Sequence, residues 1–265
     1  MQHLDVKING SVATVLVRRP ECLGALDPVL MEDLQTAFGD LHLEPKVRAV
    51  ILTGGGPYFC SGLDLSVMRR IAQMDDSGTP DVPDPAATAQ WFTLWRSLTE
   101  LFETMLRFPK PILAAVDGPA IGAGFGLALA ADIVVASGRA TFAAAAPRWG
   151  IAGGGTAALL QFRLGGSIAT SLAIGGQTID ADHAHRIGLC DHPVDSDQIW
   201  VAASQIADRI AESTPQSLTA AKRLINETVG ESMMSNLSAA AATDASLCST
   251  KECRDRLTSW STNQP

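Results

Sequence analysis

An α/β fold followed by a helical C-terminal region is the architecture these residues predict, on three observations. Between residues 4 and 136, apolar runs of strand character alternate with turns and helix-like runs, the pattern of an α/β domain. Two glycine-rich turns, ILTGGGPYFCSGLDL (51–65) and ILAAVDGPAIGAGFGLALAADI (112–133), each sit between a β-like run and a helix-like run. From Thr156 onward strand signals fade and helical patterns take over, so residues 1–196 are expected to form the α/β core and 197–265 a helical region.

Each element has a local cause. Leu4, Val6 and Ile8 alternate, Asn9-Gly10 supplies a hairpin turn, and residues 12–17 return as a second strand. Asp27-Pro28 reads as an N-cap and first helical residue. Leu30, Leu34, Ala37, Phe38 and Leu41 then follow at helical spacing to about residue 43. Val47 to Leu52 reads as a buried strand that ends at Thr53 and three glycines, and a short helix is expected over 64–73. The Pro/Asp/Gly stretch MDDSGTPDVPDPA (74–86) reads as a loop, either a lid or a solvated insertion, before a Trp/Leu/Phe-rich helix over 87–107. Pro109-Lys110-Pro111 opens the strand 112–116, and the run after Gly122 reads as a helix leading into the strand 133–136. Gly165-Gly166, Gly175-Gly176, Pro193 and Pro215 then break the helical stretches, and the alanines at 239–242 suit packing on another subunit or on the chain's own body.

With 265 residues, 46% of them hydrophobic, the chain has ample material for a large core. The formal net charge of −8 and the absence of any long basic run argue against a nucleic-acid or anionic-membrane partner. No apolar signal core stands at residues 1–10, and the most apolar stretch, 112–136, is interrupted by Asp117, Gly118 and Pro119, so a soluble cytoplasmic protein is expected. Five cysteines without C-x-x-C spacing suggest reduced, packed thiols and neither a disulfide framework nor a zinc site.

The motifs RRPECLGALD (18–27), ILTGGGPYFCSGLDL and PKPILAAVDGPAIGAGFGLALAADI occur in an order and spacing that resembles the enoyl-CoA hydratase/isomerase (crotonase) superfamily over about residues 4–230. The resemblance implies a spiral of ββα units with a C-terminal helical trimerisation region, and a homotrimer or hexamer. It implies an acyl-CoA substrate, with coenzyme A part of that substrate and no separate cofactor or metal. It also implies that the backbone N–H groups of Leu63 and Ala123 form an oxyanion hole for the thioester carbonyl. The glycines Gly62, Gly122 and Gly124 around them let the backbone approach a ligand with no Cβ in the way, and the helix after Ala123 would favour a developing enolate oxygen. Ser61, Gly62, Leu63, Asp64, Leu65 and Ser66 are implied to line the nucleotide part of the CoA site, with Cys22 and Ala25 contacting it through their segment. At Cys22 the family commonly carries a phosphate-binding lysine, which leaves Arg18, Arg19, Arg69 or Arg70 for that role; Arg18 and Arg19 read equally as solvated strand ends. Asp64 reads as a helix cap or turn-holding carboxylate more than as an acid or base.

The pattern breaks where water-adding members of the family carry two glutamates, at positions that match Gly126 and Ala146 here. A further acid position of related isomerases and dehalogenases falls in Gly153-Gly154-Gly155. None of these residues can move a proton, and general acid–base groups contribute about 10²–10⁴-fold each. Ordinary hydration is therefore not expected, and enolate stabilisation by the two N–H groups carries the reading. Near the emptied wall 141–155 the polar residue is Arg148, with Tyr58, Ser61 and Thr156 further off. Arg148 reads either as a surface arginine paired with an acid or as a clamp for a substrate carboxylate, which would suit decarboxylation of a malonyl-type acyl group. Trp149 and Phe142 suggest an apolar acyl wall. A protein that keeps the fold and CoA pocket but has lost turnover is the rival reading.

Other chemistries fit poorly. The glycines at 122, 124 and 126 lack the spacing of a dinucleotide fingerprint, because Asp117-Gly118-Pro119 intervenes and residues 138–147 hold no acid. Phe59-Cys60-Ser61-Gly62 lacks the first glycine of a nucleophile elbow, and Cys60 has no histidine in its motif. His183 and His185, near Asp180, Asp182, Cys190, Asp191 and His192, are two apart on an expected helix and do not converge on a metal.

Overall fold

The computed structural model describes residues 1–74, 83–227 and 230–259. Strands β1 (Leu4–Asn9) and β2 (Val12–Val17) form the antiparallel hairpin, with Leu4 opposite Val17 and Asn9 opposite Val12, so the turn falls at Gly10-Ser11. Strands β3 (Ala49–Gly54), β4 (Ile112–Val116) and β6 (Ile133–Ala136) extend this sheet in parallel, in the order β1-β2-β3-β4-β6. A second sheet has β5 (Pro119–Ile121) parallel to β7 (Thr141–Ala143) and β7 antiparallel to β8 (Thr178–Asp180).

The helices interleave with these strands as α1 (Pro28–Leu43), α2 (Leu65–Met74), α3 (Pro85–Arg107), α4 (Ala123–Ala130), α5 (Gly154–Leu164), α6 (Gly166–Ala173) and α7 (Ala181–Arg186). The C-terminal region holds α8 (Ile199–Ala211), α9 (Pro215–Glu227), α10 (Gly230–Cys248) and α11 (Lys251–Ser259). Asp27 caps α1 through Oδ1, which accepts from the Leu30 N–H at 2.7 Å, and the buried face carries the five residues named from their spacing. Asp84 caps α3, two residues earlier than the sequence suggests, because its carboxylate accepts from the N–H groups of Ala86 and Ala87. The lid or insertion expected at 74–86 lies largely outside the described residues; Met74 still belongs to α2.

Alternation along the parallel strands explains why both faces of the large sheet are covered. Val50, Leu52, Ile112, Ala114, Val116 and Val134 face the main core, which α1, α3 and α4 also line. Their neighbours Ala49, Ile51, Leu113, Ala115 and Val135 face the other way, onto Ile199, Ala203 and Ala207 of α8. The helical region is therefore part of the sheet's own cover. Further along, α10 lies against α3 and α5, and α11 against α2. Half of the alanine run packs within the chain: Ala240 and Ala241 are buried, with Ala240 meeting Gly154 at the start of α5, while Ala239 and Ala242 are exposed.

Several expectations need correction. The third strand begins at Ala49, and Val47 precedes it; pairing with β2 carries the strand on to Gly54. The helical stretch beyond Thr156 contains a strand, β8, held by its pairing with β7. Four of the five cysteines are buried free thiols and Cys22 is half-buried, as packed reduced thiols require. Among the described residues no helix is long and apolar enough to cross a membrane.

Because Ala203 sits fully buried between α8 and the sheet, a larger side chain there forces the two layers apart. Ala203→Leu is expected to lower unfolding free energy by about 1–3 kcal/mol in denaturant titration, while Val201→Leu, at an exposed position of the same helix, changes it by less than about 0.5 kcal/mol.

Candidate active site

The two glycine-rich turns lie side by side because their strands bridge: Cys60 pairs with Ala120 in parallel, and the Ile121 N–H donates to the Cys60 carbonyl at 2.9 Å. A Cβ built on Gly62 would stand 3.5 Å from the Ala123 nitrogen and 2.7 Å from the Ile121 oxygen. One built on Gly124 would fall 2.1 Å from the Cys60 oxygen. The contact between the turns thus exists only with glycine at these positions.

A third segment completes the arrangement. Leu26 bridges Leu63 in parallel, its N–H donating to the Gly62 oxygen at 2.7 Å and its carbonyl accepting from the Asp64 N–H at 2.9 Å. A trans peptide unit points its C=O and N–H in opposite directions, so the bond on Gly62 O turns the Leu63 N–H away from Leu26. The same geometry acts at Ala123, the first residue of α4. The Gly122 carbonyl accepts from the Gly126 N–H at 3.0 Å and from Thr156 Oγ1 at 3.1 Å, which directs the Ala123 N–H to the opposite side. Among the described residues, neither the Leu63 N–H nor the Ala123 N–H has a protein acceptor. Leu63 is half-buried and Ala123 buried, and the Ala123 N–H is one of the first-turn donors for which a helix supplies no acceptor of its own, so the touching turns present two backbone donors open to a ligand. The Ala123 N–H also stands at the positive end of α4.

The segment that holds Leu26 is locked by one arginine. Arg19 is 8% exposed. Its Nη1 donates to the Ala25 carbonyl at 2.5 Å, and its Nη2 lies 3.2 Å from both Asp27 Oδ2 and Asp64 Oδ2. Asp27 and Asp64 are the carboxylates at the starts of α1 and α2, so Arg19 ties two helix N-termini and the 20–26 turn into one unit. This corrects both expectations for Arg19, since it is neither a solvated strand end nor free for a phosphate; Arg18 and Arg70 are exposed and Arg69 half-buried. Asp64 Oδ1 accepts from the Ser66 N–H at 2.9 Å and from Ser66 Oγ at 2.6 Å, the expected structural role. Burial alone would raise the Asp64 carboxyl, but Ser66 and Arg19 outweigh it and hold it below the usual range. Ser61 Oγ donates to the Cys22 carbonyl at 3.0 Å, and Leu65 and Ser66 open α2, so the segments around Cys22 and Ser61–Ser66 lie against one another; Ala25, Gly62 and Asp64 are buried within them.

Gly126 and Ala146, the positions expected from the resemblance to lack a carboxylate, are closely packed. A Cβ on Gly126 would stand 2.4 Å from Phe102 Cζ and 2.9 Å from Thr156 Oγ1, and Phe102 is fully buried. Ala146 Cβ occupies the space beside Gly153. Burial pushes the Cys60 thiol up to about 12, which leaves it a packed thiol. Arg148 is exposed, and its Nη2 donates to the Gly176 carbonyl at 3.1 Å. Among the described residues it pairs with no acid, so the expected surface ion pair is replaced by a backbone contact. Phe142 is fully buried against Phe125, centroids 5.3 Å apart, and belongs to the core instead of an acyl wall. His185 stacks on His192 and reaches the Cys190 carbonyl; no metal-binding group of side chains occurs among the described residues.

One acid escaped the sequence reading. Asp244 of α10 is 1% exposed, and its two oxygens accept from the N–H groups of Gly153 and Gly154 at 2.9 Å each. Burial pushes its carboxyl up to about 6, against the pull of the Gly154, Gly153 and Ala152 N–H groups. It pins the first turn of α5, the turn that presents Thr156. Its signal was available, because Asp244 falls at helical spacing on the same stripe as Ala240, Ala241 and Cys248.

A family model described as enoyl-CoA hydratase/isomerase matches residues 7–263, nearly the whole chain. The chain belongs to the enoyl-CoA hydratase/isomerase family. Its relatives include the carnitinyl-CoA dehydratase of Proteus mirabilis, 31% identical with 86% of this chain and 81% of the relative covered. The short-chain-enoyl-CoA hydratase of Clostridium acetobutylicum is 29% identical over 85% of this chain and 82% of its own length. The crystal structure of an enoyl-CoA hydratase/isomerase from Mycobacterium paratuberculosis superposes with a TM-score of 0.85 at 24% identity, covering 97% of this chain and 98% of that one, and shares the fold. As a member of the enoyl-CoA hydratase/isomerase family, this chain stands among acyl-CoA-processing enzymes.

Two outcomes follow from the site's framework. Arg19→Met leaves the Asp27 and Asp64 carboxylates facing one another without their cation, and is expected to cost about 3–5 kcal/mol in chemical denaturation. Asp244 carries a raised folded-state pKa, so its stabilising protonated form is fully present below about pH 4 and is lost as pH rises through about 6. The melting-temperature advantage of the native chain over Asp244→Asn should therefore be largest near pH 4 and shrink toward pH 7; an advantage that grows over this range would contradict the assignment.

Proposed function

We propose that this chain binds an acyl-CoA thioester with its carbonyl oxygen between the Leu63 and Ala123 N–H groups, and that these two donors stabilise the enolate formed from it. The single observation that carries the reading is the pair of partnerless N–H groups on touching turns, each oriented by a hydrogen bond to the carbonyl of its own peptide unit. Removal of one donor of this kind typically costs about 3 kcal/mol in a barrier, so the pair can supply much of a catalytic effect without any side chain. Leu63 and Ala123 are then the catalytic positions through their backbone alone. The strip Cys22, Ala25, Ser61–Ser66 and Gly122–Gly124 carries the thioester and the coenzyme A moiety, which is part of the substrate and not a resident cofactor. We infer a homotrimer or hexamer in the cytoplasm from the family pattern.

The reaction differs from two-glutamate hydration. Gly126 and Ala146 have no proton to give, and Phe102 stands where a side chain at 126 would extend. Lyase chemistry that needs only a polarised thioester fits these residues, and decarboxylation of a malonyl-type acyl group is the simplest such case: the C–C bond breaks, carbon dioxide leaves, its electron pair enters the enolate without a protein base, and a proton from water completes the product; isomerase chemistry would need in addition a group that carries the proton between carbons. Arg148 would meet the departing carboxylate in that case only by giving up its contact with Gly176. The filled 126 position equally supports a second reading, a paralogue that binds CoA esters without turning them over.

Purified protein assayed with crotonyl-CoA, a 3-enoyl-CoA and a malonyl-type CoA separates these readings. Crotonyl-CoA is expected to be hydrated at least about 100-fold more slowly than by a two-glutamate enzyme, the lower contribution of a single general acid–base group. Butyryl-CoA should raise the melting temperature, because a ligand that binds the native state stabilises it by mass action. Binding without turnover of any of the three favours the inactive paralogue; absence of any CoA-ester binding overturns the proposal.

A further inference from the structure

Gly122 has nothing within 4 Å of the place a Cβ would take, and its backbone stands at φ 54°, ψ −117°. A glycine at 122 imposes no side-chain restriction of its own on the Gly122–Ala123 peptide unit. The orientation of the Ala123 N–H depends on hydrogen bonds. On the N-terminal side the Gly122 N–H donates to the Ala143 carbonyl at 2.7 Å. On the C-terminal side the Gly122 oxygen takes two donors, the Gly126 N–H along the α4 axis and the Thr156 hydroxyl from outside the helix.

We propose that Thr156 is a positioning residue for the oxyanion site: its hydroxyl occupies the second lone pair of the Gly122 oxygen and so fixes the tilt of the Ala123 N–H toward the thioester. The Gly126 bond alone holds the carbonyl in the first turn of α4 but leaves the plane free to rock about that one contact. With both lone pairs engaged, the plane is fixed in two directions. The second donor also polarises the peptide unit, which strengthens the N–H on its far side by about 10–30% per bond. Thr156 can do this because its own position is fixed. It lies 6% exposed in the first turn of α5, and Asp244 grips that turn through Gly153 and Gly154. The Leu63 arm needs no such side chain, since the Leu26 N–H performs the corresponding task from a clamped backbone segment.

The inference rests on the proposed oxyanion reading, and one experiment tells the two apart. The thioester carbonyl stretch of bound butyryl-CoA is measured by infrared difference spectroscopy on the native chain, Thr156→Val and Thr156→Ser, with melting temperatures recorded for each. The native chain is expected to shift the stretch to lower frequency, Thr156→Ser to keep that shift, and Thr156→Val to lose on the order of a quarter of it while still melting cooperatively. An equal shift in the native chain and Thr156→Val overturns the role of Thr156 and leaves the oxyanion reading standing. No shift in the native chain overturns the oxyanion reading itself. Should Thr156→Val fail to fold, Thr156→Ala takes its place in the same comparison, and a full shift there is equally fatal.

Discussion

The arrangement depends on the rigidity of the peptide plane. A backbone N–H cannot be aimed by a side chain of its own; it is aimed by whatever holds the carbonyl on the other side of the same C–N bond. At Leu63 that hold is the Leu26 N–H, and at Ala123 it is Gly126 N–H together with Thr156 Oγ1. Everything else near the site serves these contacts. Arg19 keeps the Leu26 segment against the second turn by joining Asp27 and Asp64, and Asp244 keeps the first turn of α5 within reach of Gly122. The glycines let the turns touch, and the parallel sheet beneath sets the level at which they meet.

This division of labour separates what the backbone of this enoyl-CoA hydratase/isomerase family member presents from what its side chains present. The N–H pair is made of backbone and survives any substitution that leaves the supports in place. The side-chain environment differs in kind: Phe102 and Thr156 occupy the space beside Gly126, and Ala146 stands against Gly153. The Thr156 hydroxyl thus meets both features, bordering Gly126 and bonded to the carbonyl behind the Ala123 N–H.

Much of the fold was legible because its signals are local. Asp27-Pro28 announces α1, the glycine turns announce the changes from strand to helix, and the continuous apolar runs of β3 and β4 reflect burial on both faces. Strands β5, β7 and β8 escaped because three residues carry no period, and only pairing makes them extended. Arg18 and Arg19 look alike as letters, yet one is solvated and the other buried, and the difference lies in two carboxylates brought together by the fold. Asp244 was hidden for the same reason: its partners are backbone N–H groups of a glycine run far away in the chain. The positions of Leu63 and Ala123 were named from resemblance, but the bonds that orient them are properties of the folded chain alone.

The most direct test of the account is a crystal structure of the protein with butyryl-CoA bound. The account predicts the thioester oxygen at hydrogen-bonding distance, about 2.7–3.2 Å, from both the Leu63 and Ala123 nitrogens, with the Gly122 carbonyl still turned to Thr156. A thioester oxygen bound elsewhere, or reached by only one of the two nitrogens, would contradict it.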